Sequence, residues 1–215
     1  MAQRLMNIIS QQHTWHLILF FKEKHYFINN YITPPISTSG KKHASPGLFV
    51  HSLISRFRGQ LTRLLFNLGA IKILVTNVGP IRCIPNQRDT NPAVGDYCVT
   101  LPNQLAQLFN NQLKGLIAEL TSYLEGSMFV YAYVYHILGD ILNNYIAYDM
   151  LLISLISFEN PSFSCCYIGG VIPCGPTSNV CWDRSKYVFW DPYHPSDAVN
   201  VIISKRLLDG DYKLY

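Results

Sequence analysis

The sequence predicts an α/β protein built around parallel strands. Three observations carry that expectation. Apolar residues recur at helical spacing in three long segments, residues 48–68, 102–124 and 134–145. Two short runs rich in β-branched or aromatic residues, 71–76 and 128–132, lie between them. Helix, strand, helix, strand, helix is the order of parallel strands joined by helical crossovers.

Residues 1–25 show no clear periodicity, and Thr33-Pro34-Pro35 through Ser45-Pro46-Gly47 reads as loop. The first helix places Leu48, Phe49, Leu53, Ile54, Phe57, Leu61, Leu64, Leu65 and Leu68 at helical spacing, and Gly69 ends it. Arg56, Arg58 and Arg63 alternate with those apolar residues, which makes them the solvated face of that helix. Ile71-Lys72-Ile73-Leu74-Val75-Thr76 is a buried strand bounded by Asn77 and Gly79-Pro80. Residues 81–101 read as an irregular loop holding two cysteines. Pro102 opens a second helix whose apolar side runs from Leu105 and Phe109 to Leu120 and Leu124. Met128–Ala132 is a second strand, and residues 134–145 a third helix. After a loop rich in Cys, Gly, Pro and Ser, either Ser196 or Asp197 caps a last helix running to about Leu208, ended by Gly210.

Hydrophobic residues make up 49% of the 215 residues and charged residues 14%, a core-forming composition rather than a disordered one. The net charge of +4 is modest and scattered, so nucleic acid is not an expected partner. No apolar run approaches the roughly 20 residues that span a bilayer, so no transmembrane segment is expected. The run Leu17–Phe21 is too short and too polar-flanked for a convincing signal peptide. Yet six cysteines (Cys83, Cys98, Cys165, Cys166, Cys174 and Cys181) show no Cys-x-x-Cys spacing and no neighbouring histidine in a zinc pattern. They read as disulfides formed in an oxidising compartment, with no metal and no cofactor. Local spacing favours Cys83 with Cys98 and leaves the other four to pair among themselves.

The stretch with chemistry is Trp190-Asp191-Pro192-Tyr193-His194-Pro195-Ser196. It sets a carboxylate and an imidazole three residues apart on a proline-bracketed turn. A rigid Asp–His pair is the orienting and proton-transferring half of a serine-hydrolase triad. The same spacing also suits a plain tight turn whose Asp bonds nearby backbone. In an open parallel sheet the site lies beyond the carboxyl ends of the strands, so the turn is expected to face a crevice there. The remaining histidines (His13, His16, His25, His43, His51 and His136) have no carboxylate at useful spacing. Ser154 and Ser157 lie in an apolar run without an adjacent base. Tyr131, Tyr133 and Tyr135 alternate as a strand end does.

The chain resembles the plant-type GDSL esterases/lipases of the SGNH hydrolase superfamily, over the C-terminal two-thirds of their domain. The resemblance is carried, in order, by Phe27-Ile28-Asn29-Asn30-Tyr31, Leu68-Gly69-Ala70, Thr76-Asn77-Val78-Gly79-Pro80-Ile81 and Cys83-Ile84-Pro85. Asn103-Gln104-Leu105, Phe109-Asn110, Phe158-Glu159-Asn160-Pro161, Cys165-Cys166, Pro173-Cys174-Gly175 and Tyr187 through Ser196 continue it. It implies a three-layer α/β/α fold of SGNH/flavodoxin-like kind and carboxyl-ester hydrolysis by a secreted protein; a small acyl-ester or lipid substrate and a monomeric state are expected. It also implies catalytic roles for His194, which takes a serine proton, and Asp191, which orients the ring.

Against the family pattern, no Gly-Asp-Ser occurs: Gly139-Asp140 is followed by Ile141, and Gly95-Asp96 and Gly210-Asp211 by tyrosines. Glu23-Lys24-His25-Tyr26 stands where the family has its Gly-x-Asn-Asp oxyanion block. Arg82 and Tyr133 replace a usual glycine and aspartate, and Asp149–Ser157 reads as an insertion that packs poorly. The expected organisation is a divergent segment 1–26, an incomplete hydrolase domain 27–210 lacking its N-terminal part and first strand, and a tail 211–215. The expected function is an ester-hydrolase domain inactive alone. The alternatives are a lipid- or cell-wall-binding pseudoenzyme and an unstable gene product.

Overall fold

The computed structural model describes residues 15–18, 45–68, 72–90, 100–146, 158–167, 174–210 and 212–214. The fold is α/β with parallel strands, as the alternation of helix and strand predicts. The chain forms two compact units, one from residues 79–103 and 134–211, the other from residues 2–78, 104–133 and 212–215.

The second of these is the sheet unit. Its strands are β1 (Trp15–Ile18), β2 (Lys72–Thr76), β3 (Met128–Ala132) and β6 (Tyr212–Leu214), in the order β1-β2-β3-β6. β1 and β3 flank β2 in parallel, with Val75 opposite Tyr131 and Thr76 opposite Ala132. Ile73, Leu74 and Val75 are buried in succession, the mark of a strand covered on both faces. Helices α1 (Pro46–Leu68) and α3 (Thr100–Tyr123) belong with this sheet, α3 from residue 104 onward. α1 buries Val50, Leu53, Ile54, Phe57 and Leu61, and α3 buries Leu105, Phe109, Leu113, Leu116, Ile117 and Leu120. Leu53, Ile54, Phe57 and Leu61, and the α3 residues from Leu105 to Leu120, belong to the apolar stripes read from the sequence, whereas Leu48 is exposed at the start of α1 and Val50, outside the expected stripe, is buried. On the outer surface Arg58 makes a bidentate ion pair with Glu119, joining α1 to α3.

The end of β2 is held by side chains. The Asn77 amide continues the ladder by donating to the Ala132 carbonyl at 3.1 Å. Asn110 on α3 grips Val78 from both sides: its Oδ1 accepts from the Val78 amide at 2.9 Å, and its Nδ2 donates to the Val78 carbonyl at 2.8 Å. The Tyr131 hydroxyl accepts from Asn77 and donates to the Asn110 carbonyl, each at 3.2 Å. This side of the strand end is therefore a satisfied polar network, as buried polar groups require.

The other unit carries the Asp–His turn. It contains a 3₁₀ turn (Ile81–Cys83), α2 (Pro85–Thr90), α4 (Val134–Asn143), β4 (Asn160–Ser164), β5 (Tyr187–Phe189) and α5 (Asp197–Leu208). β4 and β5 run parallel. α5 starts where the sequence places it: the Ser196 hydroxyl accepts from the Val199 amide at 3.3 Å. Gly210 follows its end at φ +114°, a conformation that suits glycine. Arg206 of α5 pairs with Asp140 of α4. Two disulfides, Cys165–Cys181 and Cys166–Cys174, staple the segments on either side of the loop. They bear out the expectation that the last four cysteines pair among themselves. Cys83 is also disulfide-bonded; Cys98, its expected partner, lies outside the described residues.

Several elements differ from the sequence reading. The segment 81–101 is not all irregular: it holds the 3₁₀ turn and α2, which Pro85 opens. Six residues are too few for an apolar period to show. α3 begins at Thr100, two residues before Pro102, because proline is tolerated in the first turn of a helix. α4 stops at Asn143 rather than 145. β1 lies where no periodicity is legible, and β6 adds an antiparallel edge from residues beyond the last helix. Gly69, the insertion 149–157 with Ser154 and Ser157, and His13, His25 and His43 lie outside the described residues.

Candidate active site

The Asp–His turn is built by its own backbone. The Trp190 amide donates to the His194 carbonyl at 2.8 Å, and the Ser196 amide donates to the Val188 carbonyl at 2.8 Å. Phe189 and Pro195 form an antiparallel bridge, so the chain reverses tightly just after β5. Pro192 and Pro195 restrict φ on the two sides of the reversal.

Within the turn Asp191 accepts several bonds at once. Its Oδ1 takes the Tyr193 amide at 2.8 Å and the His194 amide at 2.7 Å. The His194 Nδ1 lies 2.9 Å from Oδ1 and 2.8 Å from Oδ2. The tight-turn reading and the dyad reading thus describe one arrangement, in which the bonds that make the turn also hold the carboxylate against the ring. The Asp191 side chain is 6% exposed and that of His194 28%. Burial pushes the Asp191 carboxyl upward. The hydrogen bond from His194, those from the Tyr193 and His194 amides, and the charge of His194 together outweigh it, so the carboxyl sits below the ordinary carboxylate range. An ionised carboxylate facing Nδ1 selects the tautomer protonated there. Nε2 is the proton-accepting nitrogen of an imidazole in that tautomer.

Neighbouring side chains complete the turn. Tyr193 stacks edge-on beside His194, with ring centroids 6.4 Å apart. Its phenol is raised by burial and then by the Asp191 charge, which keeps it protonated. The Arg184 guanidinium lies 5.0 Å over the Trp190 ring. From α2, Asn86 reaches the turn twice. Its amide donates to the Pro192 carbonyl at 3.0 Å, and its side-chain Nδ2 to the Tyr193 hydroxyl at 3.1 Å. Sequence reasoning gives Asn86 no role; the only signal is its place directly after Cys83-Ile84-Pro85. Of the departures from the family pattern, Tyr133 packs edge-on against Tyr131 at 5.1 Å.

An α/β chain with parallel strands and a buried carboxylate set against an imidazole on a turn before a helix has the outline of a hydrolase domain. The chain belongs to the GDSL-like lipase/acylhydrolase family, whose model matches residues 22–207. It is 53% identical over 188 residues to the GDSL esterase/lipase At4g16230 of Arabidopsis thaliana, covering 86% of this chain and 49% of that protein. It is 45% identical over 192 residues to At2g23540, and 42% identical over 192 residues to At3g50400, both GDSL esterases/lipases of the same plant. These matches cover 87% of this chain, and 47% and 49% of the two relatives. The chain thus spans about half the length of the curated relatives it matches.

Proposed function

We propose that this chain is the acid–base half of a carboxyl-ester hydrolase, in which His194 takes the proton of a serine nucleophile and Asp191 orients and stabilises the ring. The observation that carries the reading is the two-oxygen contact of the buried Asp191 carboxylate with His194 Nδ1. The substrate class is a small acyl ester or lipid, in keeping with the names of the relatives. The disulfides suit secretion and folding in an oxidising compartment. Among the described residues no helix is long and apolar enough to cross a membrane. The working form is a monomer.

No Gly-Asp-Ser occurs in these 215 residues, and this supports an inactive chain when it is alone. Without a triad member, about 10³–10⁴-fold acceleration over water remains, and it depends on the oxyanion hole. Each missing oxyanion donor removes about 10²–10³ more. The chain by itself therefore turns over a short-chain activated ester at near-background rate and takes no label from a fluorophosphonate serine probe.

Extension with a Gly-Asp-Ser-bearing segment from a relative restores turnover. In that extended protein His194→Ala lowers kcat by about 10⁶ and Asp191→Asn by about 10⁴. Full turnover by the chain alone, abolished by changing one of its own serines, would overturn this reading. An extended protein that stays inactive but binds lipid vesicles would favour the pseudoenzyme reading.

A further inference from the structure

We propose that Asn86 is a positioning residue for the dyad, gripping the turn from outside so that the His194 ring stays seated on Asp191. This deepens the hydrolase reading and rests on it. The bonds inside the turn run from Trp190 to His194 and from Asp191 to the next residues, so they hold its shape. The Cys166 amide ties the base of the turn, donating to the Trp190 carbonyl at 2.8 Å, but none of these bonds anchors the Pro192–Tyr193 tip to the rest of the unit. Asn86 supplies an anchor from 107 residues away in sequence, taking the Pro192 carbonyl with its main chain and the Tyr193 hydroxyl with its side chain.

The anchor is itself held rigidly. Asn86 is 2% exposed, its Oδ1 accepts from Gln87 Nε2 at 3.2 Å, and its carbonyl accepts from Thr90 Oγ1 at 2.8 Å. Pro192 and Tyr193 are the two residues between Asp191 and His194, so a grip on both constrains the carboxylate and the ring together. Such precision matters in a catalytic pair, because a displacement of about 1 Å costs on the order of 10²-fold in rate.

The test reads the Asp191–His194 bond directly, in the full chain. The His194 Nδ1 proton is assigned by nuclear magnetic resonance through its loss in His194→Gln, and its exchange with water is measured. In Asn86→Ala and in Tyr193→Phe it exchanges about tenfold faster, the worth of one hydrogen bond. The double variant is no faster than either single one, because both remove the same contact. Wild-type exchange in a folded single variant, or additive effects in the double, overturns the inference. If Asn86→Ala does not fold, Tyr193→Phe decides alone, since it removes one hydroxyl and leaves the ring. Proton exchange needs no turnover, so the two readings fail separately: an inactive extended protein counts against the hydrolase role, and an unchanged exchange rate against the anchor.

Discussion

At the scale of residues, Asp191 joins structure to chemistry. Burial alone pushes its carboxyl upward, and the bonds from His194 and from two main-chain amides, with the His194 charge, outweigh that and hold it below the ordinary range. The sign of its contribution to stability follows. Its folded pKa lies below the unfolded value of about 3.9, so the contribution is fully present above that value and is lost as pH falls through the folded one. We expect the melting temperature of the wild type to fall more steeply than that of Asp191→Asn between about pH 5 and pH 2. Parallel melting curves for the two proteins would show that the carboxylate is not held by these bonds. In Asp191→Asn the Tyr193 and His194 amides hold the one remaining oxygen at the Oδ1 position, so an NH2 donor takes the place of Oδ2 facing Nδ1. It thus favours the other ring tautomer, and the loss of turnover expected for Asp191→Asn under the hydrolase proposal rests on that change.

Elements draw their stability from apolar stripes rather than surface charge. Phe109 is fully buried on α3. Truncation to alanine removes a ring from a packed core and is expected to cost about 3–5 kcal/mol. The Arg58–Glu119 pair spans the same helices, but its side chains are 45% and 40% exposed. Arg58→Ala is expected to cost about 0–1 kcal/mol despite the good bidentate geometry. Urea unfolding of the two variants compares them directly, and a larger loss for Arg58→Ala would reverse this ranking. Ser196→Ala removes the cap of α5 and is expected to cost about 1 kcal/mol. Because α5 follows the Asp–His turn immediately, that loss also loosens the C-terminal anchor of the turn.

For the molecule as a whole, the disulfides set the conditions of folding. Cys165–Cys181 and Cys166–Cys174 close loops with sequence separations of 16 and 8. Each is expected to contribute about 2–4 kcal/mol by constraining the unfolded chain. Non-reducing peptide mapping of oxidatively folded protein should recover both bridges, and reduction should lower its melting temperature. Six free thiols in such protein, or an unchanged melting temperature, would remove the disulfides from this account.

The sequence by itself determined the elements whose signal is local. α1 and α3 run 23 and 24 residues, long enough for the apolar period to repeat many times. β2 and β3 read as strands because runs of apolar residues stand between turn residues. Asp191 and His194 were legible for the same reason, since three residues and two prolines dictate their meeting. Only the tertiary structure decided the rest. β1 and β6 are four and three residues long, and each is a strand because β2 or β3 lies beside it to complete its hydrogen bonds. The pairing of four adjacent cysteines depended on which segments the ladder brought together: the Cys181 amide donates to the Cys165 carbonyl, and Cys166 bridges Val180. Asn86 gave no sign of its place against Tyr193, because a contact across 107 residues leaves no period and no spacing in the chain. Short-range order is encoded where the residues stand, whereas long-range contacts exist only once the chain has folded back on itself.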